Sequence, residues 1–166
     1  MALTIPQGNM MVKLAAEQAA SGTSISFTGI PAGTSVIYVT FEGISVNGTV
    51  IPLVQIGDSG GLETSSYLGA GSLGIDATTP IGATATTGYA TEGAGSGATV
   101  LHGIMTLVLS DATNNTWIAA GTLGRSDAAG VHMFGGSKSL SAVLTQVAIV
   151  TGSNSFDAGS FSVSYL

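Results

Sequence analysis

Ile56-Gly57-Asp58-Ser59-Gly60-Gly61 contains Gly-Asp-Ser-Gly-Gly, the usual surroundings of the nucleophilic serine in trypsin-like proteases, and Gly57-x-Ser59-x-Gly61 also fits the nucleophile elbow of α/β-hydrolases. Either chemistry needs a histidine to accept the serine proton and a carboxylate to orient that histidine. The chain has two histidines, His102 and His132, and both follow Ser59. The orders His-Asp-Ser and Asp-His-Ser of the two protease classes are therefore impossible within one chain. The hydrolase order Ser-Asp-His can be filled by Ser59, Asp111 and His132. That nucleophile sits on a strand-to-helix turn, however, and the stretch that follows, LETSSYLGAGSLG, carries no amphipathic helix. A turn is the better reading. Gly57, Gly60 and Gly61 permit positive φ and close backbone approach, and the Asp58 and Ser59 side chains bond to backbone N–H groups. Hydrolysis at Ser59 is kept as a remote alternative, and no catalytic residue is assigned.

The other reactive residue types give no stronger site. His102 and His132 each lie among apolar strand residues, with no His-x-His pair or nearby carboxylate to complete a metal-ligand set, so both read as core or interface histidines. The nine carboxylates are scattered and cannot be paired as in a glycosidase. Gly93-Ala94-Gly95-Ser96-Gly97 lacks the Lys and the following helix of a phosphate loop. No metal and no cofactor are expected.

The elements that carry these residues are strands. A chain of 166 residues is one domain by length, and with no cysteine it is held by packing and backbone pairing alone. Charged residues are only 7% of the chain, against roughly a quarter in an ordinary soluble domain, so Ser, Thr and Gly must form much of the surface. The basic residues are Lys13, Arg125 and Lys138 against a net charge of −6, which excludes a positive field for nucleic acid or anionic lipid. Mean hydropathy is +0.51, yet no run of about 20 apolar residues offers a membrane span. The first 20 residues lack the basic start and apolar centre of a signal peptide, so the expectation is a soluble protein made in a cytosol.

Met10 to Ala20 reads as a helix or as an extended arm. From Thr23 onward, short β-branched and aromatic runs alternate with Gly, Pro, Asn and Asp: Thr23–Thr28, Ser35–Glu42, Val50–Ile56, Ala98–Ser110, Thr116–Leu123, Ser139–Val150 and Ser160–Leu166. In the last of these, alternation places Phe161, Val163 and Tyr165 on one buried face. Ile30-Pro31-Ala32-Gly33 reads as a turn, Asn47-Gly48 as a tight hairpin, and Asp111 to Asn115 as a hairpin loop. Gly57 to Gly97 reads as a long Gly-rich loop, the place to look for a partner surface or an exposed tip. The expected fold is all-β, an antiparallel, jelly-roll-like β-sandwich over residues 21–166, with an N-terminal arm over 1–20.

SGTSISFTGIPAGTSVIYVTFEGISVNGT, PLVQIGDSGGLETSSYLG, TWIAAGTLGRSD, GSKSLSAVLTQVAI and FDAGSFSVSYL follow one another in an order that resembles a β-rich module at the ends of tail fibres and in minor virion proteins of tailed bacteriophages. The resemblance covers about residues 21–166. It implies a non-enzymatic structural or adhesive protein, commonly a homotrimer, with Gly57 to Leu62 as part of the module's framework. The departure is the short leader: about 20 extended residues span at most roughly 65 Å, enough to reach across neighbouring subunits but not to form a shaft. A trimeric capsid decoration protein on the virion, assembled in the host cytoplasm, is therefore expected ahead of a short tail fibre or tail-tip component. Its partners would be copies of itself and a major capsid or tail protein. Leu3, Ile5, Met10, Met11, Val12 and Leu14 would anchor the arm by strand addition or in an apolar groove. Should a host-surface glycan be bound, Tyr67 and Tyr89 in the Gly-rich segment are the expected exposed stacking residues, while Trp117 reads as core.

Overall fold

The computed structural model describes residues 12–13, 16–74 and 81–166. Among these there are strands and turns but no helix, and hence no helix long and apolar enough to cross a membrane. The strands are β1 (Val12–Lys13), β2 (Gln18–Ala19), β3 (Ser24–Thr28), β4 (Val36–Val46), β5 (Leu53–Asp58), β6 (Gly61–Leu62) and β7 (Leu68–Gly74). They continue with β8 (Ile81–Ala85), β9 (Tyr89–Ala90), β10 (Leu101–Asp111), β11 (Thr116–Arg125), β12 (Val131–Ser139), β13 (Gln146–Val150) and β14 (Phe156–Tyr165). The larger sheet has the order β1-β14-β4-β10-β11-β12-β7-β8, with β2 also on β14. The smaller has the order β3-β13-β5-β6, with β9 also on β5. Every pairing is antiparallel.

The expected antiparallel sandwich is what the chain forms, and the two-residue period explains its core. From the larger sheet Ile37, Val39 and Phe41, Met105 and Leu107, Trp117 and Ala119, and Phe161 and Val163 are buried. From the smaller sheet Ile25, Phe27, Val54, Ile56, Val147 and Ile149 meet them. Phe41 and Phe161 are register partners on adjacent strands and pack edge to face at 5.3 Å. Gln55 and Ala148 are buried as well, on the opposite side of the smaller sheet, where the Gln55 amide donates to the Thr87 carbonyl at 2.8 Å.

Two local expectations are corrected, and an open one is decided. Gly57 to Gly97 is not a single loop: β7 and β8 extend the larger sheet, and β6 and β9 pair with β5. Asn47-Gly48 is not a hairpin, because β4 and β5 belong to different sheets; Asn47 instead exchanges bonds with Ser155, from its N–H to the Ser155 carbonyl and from the Ser155 N–H to its Oδ1, both at 3.0 Å. The described part of Met10 to Ala20 is extended, with β1 and β2 laid along β14. The apolar strand residues around His132 form the start of β12, which runs on through Gly135-Gly136 to Ser139, and Asp111 to Asn115 closes the β10–β11 hairpin as expected.

Glycine in β7 has a steric reason. A Cβ on Gly71 would meet the Glu92 carbonyl oxygen at 2.5 Å, and one on Gly93 would meet the Ile81 oxygen at 2.3 Å and the Leu73 nitrogen at 2.4 Å. The strand residues are small so that segment 92–93 can lie against them. Gly71→Ala is expected to cost about 1–3 kcal/mol, a fall in Tm of roughly 3–10 °C. Gly124→Ala, whose Cβ would find nothing nearer than the His102 oxygen at 3.9 Å, is the control for calorimetry and should melt as wild type.

Candidate functional site

The IGDSGG motif is the exit of β5 and its return as β6, with Asp58 paired to Gly61. Gly57 faces the Gly61 carbonyl so closely that a Cβ would lie 2.2 Å from it, and Gly61 has φ +126°, a backbone that suits glycine. Asp58 Oδ1 accepts the Gly60 N–H at 2.7 Å and Oδ2 accepts the Ser141 hydroxyl at 2.6 Å. The Ser141 bond, followed by the Gly60 bond, holds the Asp58 carboxyl below its ordinary pKa. Ser59 is exposed at the tip, and its hydroxyl makes no hydrogen bond among the described residues, contrary to the expected backbone bond. Asp111 is engaged within its own hairpin by Thr113 N–H at 2.8 Å and Asn114 Nδ2 at 2.7 Å. His132 is turned to Gly93 and Glu92. No hydrogen bond joins Ser59, Asp111 and His132.

Behind the turn lies a polar knot that the sequence reading missed. Lys138 projects inward from β12, is 5% exposed, and places Nζ 2.5 Å from Glu63 Oε2 and 5.5 Å from the centre of the Tyr67 ring. Glu63 Oε1 accepts the Ser141 N–H at 2.6 Å. Burial alone would raise the Glu63 pKa, but the bonds from Lys138 and Ser141 outweigh it and hold the group below its ordinary value. The Tyr67 hydroxyl accepts the Ile56 N–H at 2.8 Å and faces the Glu63 carbonyl at 2.9 Å as donor, and burial pushes its pKa up to about 12. Tyr89 packs edge to face on Tyr67 at 5.0 Å and donates to the Trp117 carbonyl at 3.0 Å. The expectation that Tyr67 and Tyr89 are exposed stacking residues is thus corrected: they are 0% and 1% exposed, and both rings belong to the core. Trp117 is core, as expected.

A second buried pair lies beneath β7. His132 is fully buried on β12 and accepts the Gly93 N–H on Nδ1 at 3.2 Å, which leaves the proton of the neutral ring on Nε2. That Nε2 lies 3.9 Å from Glu92 Oε2, and both atoms are otherwise without a hydrogen-bond partner. Burial favours the neutral form of each, raising Glu92 to about 8 and lowering His132 to about 4. The neighbouring Arg125–Asp127 ion pair acts on both, and the Arg125 hydrogen bond draws Asp127 down to about 2. The expectation of a core or interface histidine fits His132. His102 is exposed instead, with Nδ1 on the Gly43 N–H at 3.2 Å and Nε2 3.1 Å from Ser126 Oγ. Among the described residues no three His, Asp or Glu side chains gather as a metal set.

The outward face of the larger sheet is the remaining candidate. Register aligns Val36, Val108, Ile118, Ser137 and Leu68 in one row across five strands. The next row is Tyr38, Thr106, Ala120, Gly135 and Ala70. The third is Thr40, Ile104, Thr122, Met133 and Ser72. None of these is charged, and Leu68 and Met133 are 73% and 55% exposed. Of the expected arm anchors, Leu3, Ile5, Met10, Met11 and Leu14 lie outside the described residues, whereas Val12 pairs with Tyr165 at the edge of the same sheet. The sequence signal for the knot was slight: Lys138 is one of three basic residues, and its stretch Gly135-Gly136-Ser137-Lys138-Ser139 has no apolar alternation to mark the position as core-facing. No protein family, curated protein or solved structure matches the chain.

Tyr67→Phe, which removes the hydroxyl bonded to Ile56 and Glu63, should cost about 1–3 kcal/mol in urea unfolding, while Ser59→Ala should change stability by less than about 0.5 kcal/mol. The Glu92–His132 pair sets a pH dependence. Between pH 4.5 and about 8 the native state holds a proton on Glu92 that the unfolded chain releases, so stability falls as pH rises through that window. Between pH 6.5 and about 4 the unfolded chain protonates its histidine first, so stability falls as pH drops through that window. The two slopes oppose each other below pH 6.5, leaving a net loss on the order of 2 kcal/mol from there to pH 8. Chemical unfolding at a series of pH values should show this loss in wild type and not in Glu92→Gln.

Proposed function

We propose that this chain is a non-enzymatic structural protein of a tailed-phage virion, displayed on the particle surface, and within that class a trimeric capsid decoration protein. The observation that carries this reading is a broad neutral sheet face on a domain whose described ionisable groups are largely engaged in internal bonds. Asp58, Glu63 and Lys138 tie the core together, and Asp111, Arg125 and Asp127 brace turns. Such a molecule acts through its surfaces. The order of the sequence motifs, with their resemblance to the phage module, supplies the virion setting.

The arm is the proposed link to the particle, through Leu3, Ile5, Met10, Met11 and Leu14, and the pairing of β1 with β14 supports a position beside that strand. A capsid or tail protein is the partner, and assembly takes place in the host cytoplasm. Tyr67 and Tyr89 lie in the core, so the two residues expected to stack on a glycan do not support the glycan-binding tail reading.

Deletion of residues 2–11 spares β1 and β2 and should leave the melting temperature within a few degrees of wild type while abolishing co-sedimentation with particles. Retained co-sedimentation would overturn the arm's role. A density map of the intact particle should place the domain on the head; a position on the tail would overturn the decoration assignment, and absence from purified particles the virion reading as a whole.

A further inference from the structure

We infer that the outward face of the larger sheet binds a second copy of this chain, with Met133 of one copy seated in a hollow between β4, β10 and the end of β14 of the other. This deepens the proposed function and rests on the part of it that has the chain associate with itself.

Size comes first. Seven adjacent strands, β14, β4, β10, β11, β12, β7 and β8, carry the face. At about 4.8 Å per strand and about 30 Å of strand length this is on the order of 1,000 Å². A stable interface takes roughly 800 Å² from each partner.

Charge selects the occupant. The chain carries a net charge of −6, so two copies repel unless carboxylates are kept out of their contact. The three rows across β4, β10, β11, β12 and β7 contain none; the exposed Glu42, two residues beyond Thr40 on β4, and Glu17, bonded to Ser160 of β14, lie at their border. A neutral face on an acidic protein suits another copy of that protein.

Shape gives the register. A shallow depression lined by Tyr38, Thr40, Ile104, Ser164 and Leu166 lies on one side of β11. The exposed Met133 and Leu68 lie on the other side, on β12 and β7. A symmetry axis running along β11 brings β12 of one copy over β10 of the next and β7 over β4, keeping the rows aligned. Met133 shares its row with Ile104 and Thr40, so it arrives at the hollow. Leu68 shares its row with Val36 and arrives there. Between knob and hollow, Ala120 and Gly135 keep the middle row low, letting the faces approach. A two-fold axis along β11 makes this contact.

Light scattering on the purified protein should give a dimer, which would remove the trimer from the proposed function, whereas a trimer would overturn this face-to-face contact. Met133→Glu should weaken association at least about tenfold with an unchanged melting temperature, and Met133→Leu should retain it. Because the chain has no cysteine, Ala120→Cys can report separately. A short bis-maleimide should join copies through it and not through Ser153→Cys, in an exposed turn. A wild-type protein that is monomeric at all concentrations overturns self-association itself. An oligomer that persists in Met133→Glu and is not joined through Cys at position 120 overturns this contact and leaves self-association standing.

Discussion

The ion pair between Lys138 and Glu63 is the interaction on which the architecture turns, because it places a charge inside a sandwich and must be satisfied there. Lys138 belongs to the larger sheet, and Glu63 follows β6 of the smaller. An ammonium left unpaired at that depth costs several kcal/mol, so the two sheets are bound to one relative position as well as to each other. Ser141 and Tyr67 complete the set by donating to Glu63 and stacking under Lys138, and Ser141 extends it to Asp58. The turn that resembles a catalytic motif is thereby a strut: its aspartate accepts bonds that hold the β12–β13 connection to the end of β5.

The same packing explains why the middle of the chain is rich in glycine. Segment 92–93 lies so close against β7 that side chains at Gly71 and Gly93 would strike backbone. This close approach buries Glu92 and His132 together in a place where neither is comfortable as an ion. Both remain neutral over the middle of the pH range, a donor and an acceptor facing one another across 3.9 Å. Inside, then, polarity is concentrated at two points. Outside, the larger sheet presents rows of Val, Ile, Ala, Gly and Thr, and the contrast explains how so acidic a chain keeps a neutral face.

Much of the fold was legible from the pattern of residues. Phe161 and Val163 alternate with serines and are buried as the two-residue period requires. Asp111 and Asn114 announce the β10–β11 hairpin and form it. The misses share one cause: β7 and β8 are built mainly from Gly, Ala, Ser and Thr, whose small side chains carry little hydrophobic periodicity. Tyr67 and Tyr89 were misplaced for the same reason, since aromatic residues in a Gly-rich stretch look exposed until strands are known to surround them. Asn47-Gly48 has hairpin chemistry, but its flanking strands pair elsewhere.

The sequence by itself determined an all-β chain without cysteine, with a net charge of −6 and with histidines in the wrong order for a trypsin-like serine. Those conclusions need only composition, periodicity and order along the chain. Tertiary structure alone decided that Lys138 meets Glu63, that Glu92 meets His132, and that both tyrosines lie inside. It also decided that rows from five strands merge into one uncharged face. Each of these depends on which strands become neighbours, and in an antiparallel sandwich that is settled by contacts between residues tens of positions apart, which no local pattern encodes.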